Sequence, residues 1–168
     1  MPLGCVRCAA YLFVQGKICI HFLMTPEHPT SIECTARRST KLGGYVPKQI
    51  LIVDDNPQMR KLMRCFVNSQ SGFEVCGEAF DGLDGIEKAL ALRPDLIILD
   101  FQMPGLNGIE TARVLRENLP DVLIVLFTIH RNTILESNVA NLGIRAVVSK
   151  MDGIKHLSFE LHRLLPDA

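Results

Sequence analysis

The chain of 168 residues has no surplus of charge: 18 Lys and Arg stand against 18 Asp and Glu. A zero balance excludes a protein that binds polyanions along its whole length, which would carry a basic excess. Long hydrophobic runs are also missing. The two apolar runs near the N-terminus, residues 9–14 and 18–24, fall well short of the roughly 18–20 apolar residues that cross a bilayer. A secretion signal is not written there either: a single Arg7 precedes a short apolar core, and no small-residue cleavage site follows. With 48% apolar and 21% charged residues, the composition is that of a globular protein, which excludes collagen-like sequence, a coiled coil and wholesale disorder.

The zero balance hides a division. Residues 1–48 hold six basic residues against two acids, a net of +4, whereas residues 49–168 hold twelve against sixteen, a net of −4. Four of the six cysteines, Cys5, Cys8, Cys19 and Cys34, lie in the first stretch. With His21 they supply enough ligands for zinc, but the Cys5–Cys8 pair does not recur as a second C-x-x-C, and free thiols are the plainer reading. Residues 25–47 are rich in Pro, Thr, Ser and Gly and read as loop. Residues 1–47 are therefore expected to be a basic extension of little regular structure. Translation starting near Val46 or Pro47 is a second reading of the same stretch.

From Gln49 the pattern becomes regular. Ile50-Leu51-Ile52-Val53, the alternating stretch Phe73–Ala79, Leu96-Ile97-Ile98-Leu99, residues 122–127 and Ala146-Val147-Val148 read as five strands, the continuous runs suiting burial on both faces. Helical spacing lies between them. Met59, Leu62, Met63, Phe66 and Val67 mark one helix, with Asn56 as cap and Pro57 in the first turn. Leu83, Ile86 and Leu90 mark a second. Ile109, Ala112 and Leu115 mark a third, capped by Asn107. Ile134, Asn138 and Asn141 mark a fourth, with the weakest signal, and Ile154, Leu157, Leu161 and Leu164 a fifth, capped by Asp152. Strands alternating with helices imply an α/β domain over residues 48–168, a (βα)5 parallel sheet covered on both faces. Sites in such sheets lie beyond the carboxyl ends of the strands.

Polar residues end these strands: Asp54 and Asp55 the first, Asp100 the third, Thr128 the fourth, Lys150 the fifth. One such residue means little, but together they bring three carboxylates, a hydroxyl and an ammonium to one edge. Crowded carboxylates repel and call for a cation, and oxygen ligands favour a hard ion such as Mg²⁺.

These residues, with Met103-Pro104 and Gly108 after Asp100, resemble the receiver domain of two-component response regulators over the whole of residues 48–168. The resemblance implies a flavodoxin-like, doubly wound sheet of strand order 2-1-3-4-5. It implies that Asp100 accepts a phosphoryl group from a phosphohistidine of a sensor kinase or phosphotransfer protein. It further implies Mg²⁺ held by Asp55, Asp100 and the backbone carbonyl of Gln102, with Asp54 acting through water, and phosphoryl contacts from Lys150 and Thr128. The expected protein is a cytoplasmic signalling protein rather than an enzyme. It would be a monomer or weak dimer that works by contact with a downstream protein target, without direct contact to nucleic acid or membrane. The chain ends soon after the last helix, so a stand-alone receiver is expected.

Two positions depart from the family pattern. Val147 stands where an aromatic residue usually lies three positions before the lysine, and Ile129 replaces a small residue after Thr128. Signal propagation is then expected to run mainly through the fourth helix, and an interaction module without phosphorylation is the alternative function. A Mg²⁺-dependent phosphohydrolase fits less well, because Gln102 occupies the place where such enzymes carry a second Asp. A nucleotide binder fits less well still, because Asp54-Asp55-Asn56-Pro57 offers carboxylates where phosphate needs amides.

Overall fold

In a computed structural model of the chain, the described residues are 13–14, 17–18, 46–129 and 139–166. The cysteines before residue 46, His21, and the helix marked by Ile134 and Asn138 lie outside them. Two compact units are present, residues 1–33 and 34–168. In the first, Phe13–Val14 pairs antiparallel with Lys17–Ile18.

The second unit contains β1 (Lys48–Val53), α1 (Pro57–Ser69), β2 (Phe73–Ala79), α2 (Gly82–Leu92), β3 (Leu96–Leu99), α3 (Gly108–Asn118), β4 (Leu123–Thr128), β5 (Ile144–Ser149) and α4 (Ile154–Leu164). All four strand pairings are parallel, and the order is β2-β1-β3-β4-β5. This is the flavodoxin-like sheet. No helix among the described residues is long and apolar enough to cross a membrane.

The continuous apolar runs follow from two covered faces. Successive side chains of a strand point to opposite sides. Leu51, Val53, Ile97, Leu99, Ile124 and Leu126 pack with Ala89 of α2 and with Ala112 and Leu115 of α3. Ile50, Ile52, Leu96, Ile98, Val125 and Val148 pack with Met63 and Val67 of α1 and with Leu157 and Leu161 of α4. All four residues of β3 are fully buried, each contributing roughly 1.5–3 kcal/mol of hydrophobic stabilisation.

Two helix starts are capped as the sequence predicts, and the Asp81 side chain, accepting from the Asp84 N–H, caps α2 as well. The Asn56 side chain accepts from the N–H groups of Gln58 and Met59 with Pro57 at the first position, and Asn107 forms a capping box with Glu110. Two expectations need correction. The spacing of Leu83, Ile86 and Leu90 predicts that they face the core, yet Leu83 and Leu90 are exposed and the buried positions of α2 are Gly82, Gly85 and Ala89. The helix lies so close to β1 that a Cβ on Gly85 would sit 2.9 Å from Val53 Cγ1, a distance only a glycine permits. Small residues therefore take the fully buried positions, and of the three apolar markers only Ile86 packs against the core. Likewise, α4 is capped by Gly153 without a side-chain bond, and Asp152 belongs to a preceding 3-10 turn, Lys150–Asp152.

Candidate functional site at the carboxyl edge of the sheet

Strand register brings the acids together. Val53 is level with Leu99, so the next residues, Asp54 and Asp100, leave the sheet side by side. The Asp100 N–H bonds Val53 O at 2.8 Å, and the Asp54 N–H bonds Ala79 O at 3.1 Å. Thr128 ends β4 level with Ser149 of β5 and is fully buried. The Ser149 hydroxyl then accepts from the Met151 N–H, opening the short turn that carries Lys150 back over the edge.

Lys150 Nζ donates to Asp54 Oδ2 and to Asp100 Oδ2, each at 2.7 Å. Both carboxylates are buried, and the lysine side chain is only 12% exposed. The remaining oxygens are also engaged. Asp54 Oδ1 accepts from the Asn56 N–H at 2.9 Å. Asp100 Oδ1 accepts from the N–H groups of Phe101 at 2.7 Å and Gln102 at 3.5 Å. The Lys150 ammonium also lies 6.0 Å from the centre of the Phe127 ring, within cation–π range.

Asp55 differs from these two: it is exposed, and among the described residues no hydrogen bond or ion pair holds its carboxylate. Ligand oxygens of Asp54, Asp55 and Asp100 nonetheless lie within 4.8 Å of one another. Three carboxylates that converge, one of them open to solvent, fit a hard divalent cation. Gln102 lies in the exposed loop two residues after Asp100.

The electrostatics match this crowding. Burial lifts the Asp100 pKa above the usual carboxylate range, against the pull of its bond to Lys150 and of the lysine charge, and the neighbouring Asp54 adds to the rise. Burial presses Lys150 toward neutrality, but its bonds to Asp100 and Asp54 outweigh that and hold its pKa above the ordinary lysine value.

The strand-end residues Asp54, Asp55, Asp100, Thr128 and Lys150 thus lie at one edge, with Asp54, Asp100 and Lys150 in direct contact. Sequence reasoning missed Arg60 and Glu78. Arg60 NH1 donates to the main-chain carbonyl of Asp54 at 2.7 Å, and its Nε lies 3.7 Å from Glu78. The available signal was position: Arg60 lies four residues after the cap Asn56, one turn into α1, where a long side chain reaches back over the acidic turn. Val147 is partly buried against the core that α2 and α3 cover, and Ile129 is 56% exposed.

A doubly wound parallel sheet whose carboxyl edge holds converging aspartates bridged by a lysine defines a class of protein with an anionic, cation-ready site at its switch point. The particular family follows from comparison with known proteins: the chain belongs to the response regulator receiver domain family, whose model matches residues 50–160. It is 43% identical over 88 residues to the nitrate/nitrite response regulator protein NarL of Escherichia coli K12, covering 52% of this chain and 41% of that protein. It is 41% identical over 78 residues to a protein-glutamate methylesterase/protein-glutamine glutaminase of Pyrococcus horikoshii, covering 46% of this chain and 21% of that protein. The crystal structure of response regulator protein TrrA from Thermotoga maritima, in complex with Mg²⁺ and BeF, shares 30% identity and a TM-score of 0.63, covering 70% of this chain and 99% of that one. The matches span less than half the length of these two curated relatives.

Proposed function

We propose that this protein is a phosphoacceptor in a two-component His–Asp relay, with Asp100 as the acceptor. The observation that carries the reading is the convergence of the Asp54, Asp55 and Asp100 oxygens within 4.8 Å, with Lys150 bridging two of the three. A carboxylate oxygen of Asp100 attacks the phosphorus of a phosphohistidine on a sensor kinase or phosphotransfer protein. The new P–O bond forms as the P–N bond breaks, and its electron pair leaves with the imidazole.

Asp55, Asp100 and the Gln102 carbonyl would hold Mg²⁺, with Asp54 assisting through water, and the ion when bound offsets charge on the phosphoryl oxygens. The likeness to the TrrA domain, whose structure contains Mg²⁺, supports this choice of ion. Lys150 shifts its ammonium from the carboxylates to a phosphoryl oxygen, and the buried Thr128 hydroxyl bonds another. The role is signalling in the cytoplasm through a sensor kinase and a downstream protein target, by a monomer or weak dimer.

The test is incubation with acetyl phosphate and Mg²⁺ followed by intact-mass analysis. One phosphate adduct is expected, lost in Asp100→Asn and on chelation of the metal. Val147 and the exposed Ile129 favour one second reading, an interaction module that is not phosphorylated. Absence of an adduct with metal and donor in excess, whether kinase or small molecule, would favour it.

A further inference from the structure

Asp54 and Asp55 reach the edge by different means. Both oxygens of the Asp54 carboxylate are bonded, one to the Asn56 N–H and one to Lys150. The exposed Asp55 carboxylate has no such hold among the described residues, so its placement depends on the main chain that carries it. The peptide joining the two residues begins with the Asp54 carbonyl, and Arg60 NH1 bonds that oxygen at 2.7 Å. A peptide unit is planar, so fixing its carbonyl fixes the direction in which the chain enters Asp55.

Arg60 is itself braced. Its Nε faces Glu78 Oε2 at 3.7 Å, and Glu78 Oε1 is held by Arg64 NH1 at 2.8 Å. The planar guanidinium fork suits this double engagement, one arm on a carbonyl and the other toward a carboxylate. The Arg60 side chain is 18% exposed, against 43% for Arg64. Arg64 shares the Glu78 partner and, among the described residues, has no bond to the acidic turn.

We propose that Arg60 is a positioning residue for the acidic turn: by tying the Asp54 carbonyl to Glu78 of β2, it orients Asp55 for the divalent cation. This rests on the reading of the acidic cluster as a cation site. Outer-shell partners of metal ligands typically contribute about tenfold or more to metal affinity. A residue that served only stability would act on Mg²⁺ binding no more than Arg64 does.

The experiment measures the Mg²⁺ dissociation constant of the full chain by calorimetry, because the sequence has no tryptophan to report binding. Thermal stability and the Mg²⁺ dependence of phosphorylation by acetyl phosphate are followed in parallel. Arg60→Met is expected to weaken Mg²⁺ binding about tenfold and to raise the Mg²⁺ needed for half-maximal phosphorylation, with the rate at saturating Mg²⁺ largely kept. Arg64→Met should leave Mg²⁺ binding unchanged. Arg60→Lys keeps a cation opposite Glu78 without the fork, so it should also bind Mg²⁺ more weakly while melting near the unsubstituted chain. Equal effects of Arg60→Met and Arg64→Met, or unchanged Mg²⁺ binding in Arg60→Lys, would overturn the proposal. If the unsubstituted chain itself binds no Mg²⁺, the cation reading fails first and this proposal with it.

Discussion

Lys150 holds two buried carboxylates with one ammonium, and the cost of that arrangement shows in the titration of Asp100. The Asp100 pKa is raised in the folded protein, so the folded state takes up this proton more readily than the unfolded chain. Its contribution to stability is therefore present below the ordinary value of about 3.9 and is lost as pH rises through the folded value. The raised pKa of Lys150 has the same sign in the alkaline range: its contribution is present below about 10.4 and is lost above the folded value. Removing the lysine leaves Asp54 and Asp100 facing each other with no counter-charge. Lys150→Met, measured by denaturant unfolding with chelator present, is expected to cost about 3 kcal/mol near neutrality. That cost should shrink on acidification as Asp100 takes up its proton. A cost that grew as the pH fell would contradict this account of the edge.

At the scale of elements, the position of the acceptor loop depends on how closely α3 approaches it. Gly108 opens α3, and its N–H bonds Phe101 O at 2.8 Å. A Cβ there would collide with the Asp100 carbonyl oxygen and would sit 2.9 Å from Phe101 Cα. Both neighbours are backbone and cannot swing aside. Gly108→Ala should therefore lower stability by about 1–3 kcal/mol and also slow phosphorylation by acetyl phosphate, because the helix pushes on the acceptor itself. Asn107→Ala, which removes only the capping bonds, should cost about 1 kcal/mol and leave the phosphorylation rate in place. Melting temperatures and adduct formation on the two variants separate these effects. Gly108 was visible in the sequence as a family feature, but the reason for a glycine there appears only once α3 is seen against the Asp100 main chain.

For the whole molecule, the sheet and both of its apolar layers are drawn, among the described residues, from those between Lys48 and Leu165. A chain beginning at Val46 keeps this sheet and the acidic edge and is expected to be phosphorylated by acetyl phosphate at the same rate as the full chain. Such a chain would be acidic, since residues 49–168 carry twelve basic against sixteen acidic side chains. Phosphorylation time courses of the two chains, run at low and high ionic strength, check that the rates are equal.

The alternation of strands and helices was legible in the chain before any folding, because runs such as Leu96-Ile97-Ile98-Leu99 are apolar on both faces and suit a doubly covered strand. The identity of the edge residues was legible too, because Asp54, Asp55, Asp100, Thr128 and Lys150 each interrupt or follow such a run. What the sequence left open depends on distances between segments far apart in the chain. The fully buried positions of α2 are Gly82, Gly85 and Ala89, small residues with little hydropathy signal, and the approach of Gly85 to Val53 sets them. The two hydrogen bonds from Lys150 to Asp54 and Asp100 span 96 and 50 residues and exist because Val53 and Leu99 are level in the sheet. The reach of Arg60 to the Asp54 carbonyl is likewise a main-chain contact, made by a side chain whose type alone does not announce its partner. Strand register and helix approach decided these features, because both are properties of packed neighbours and neither belongs to a local stretch of chain.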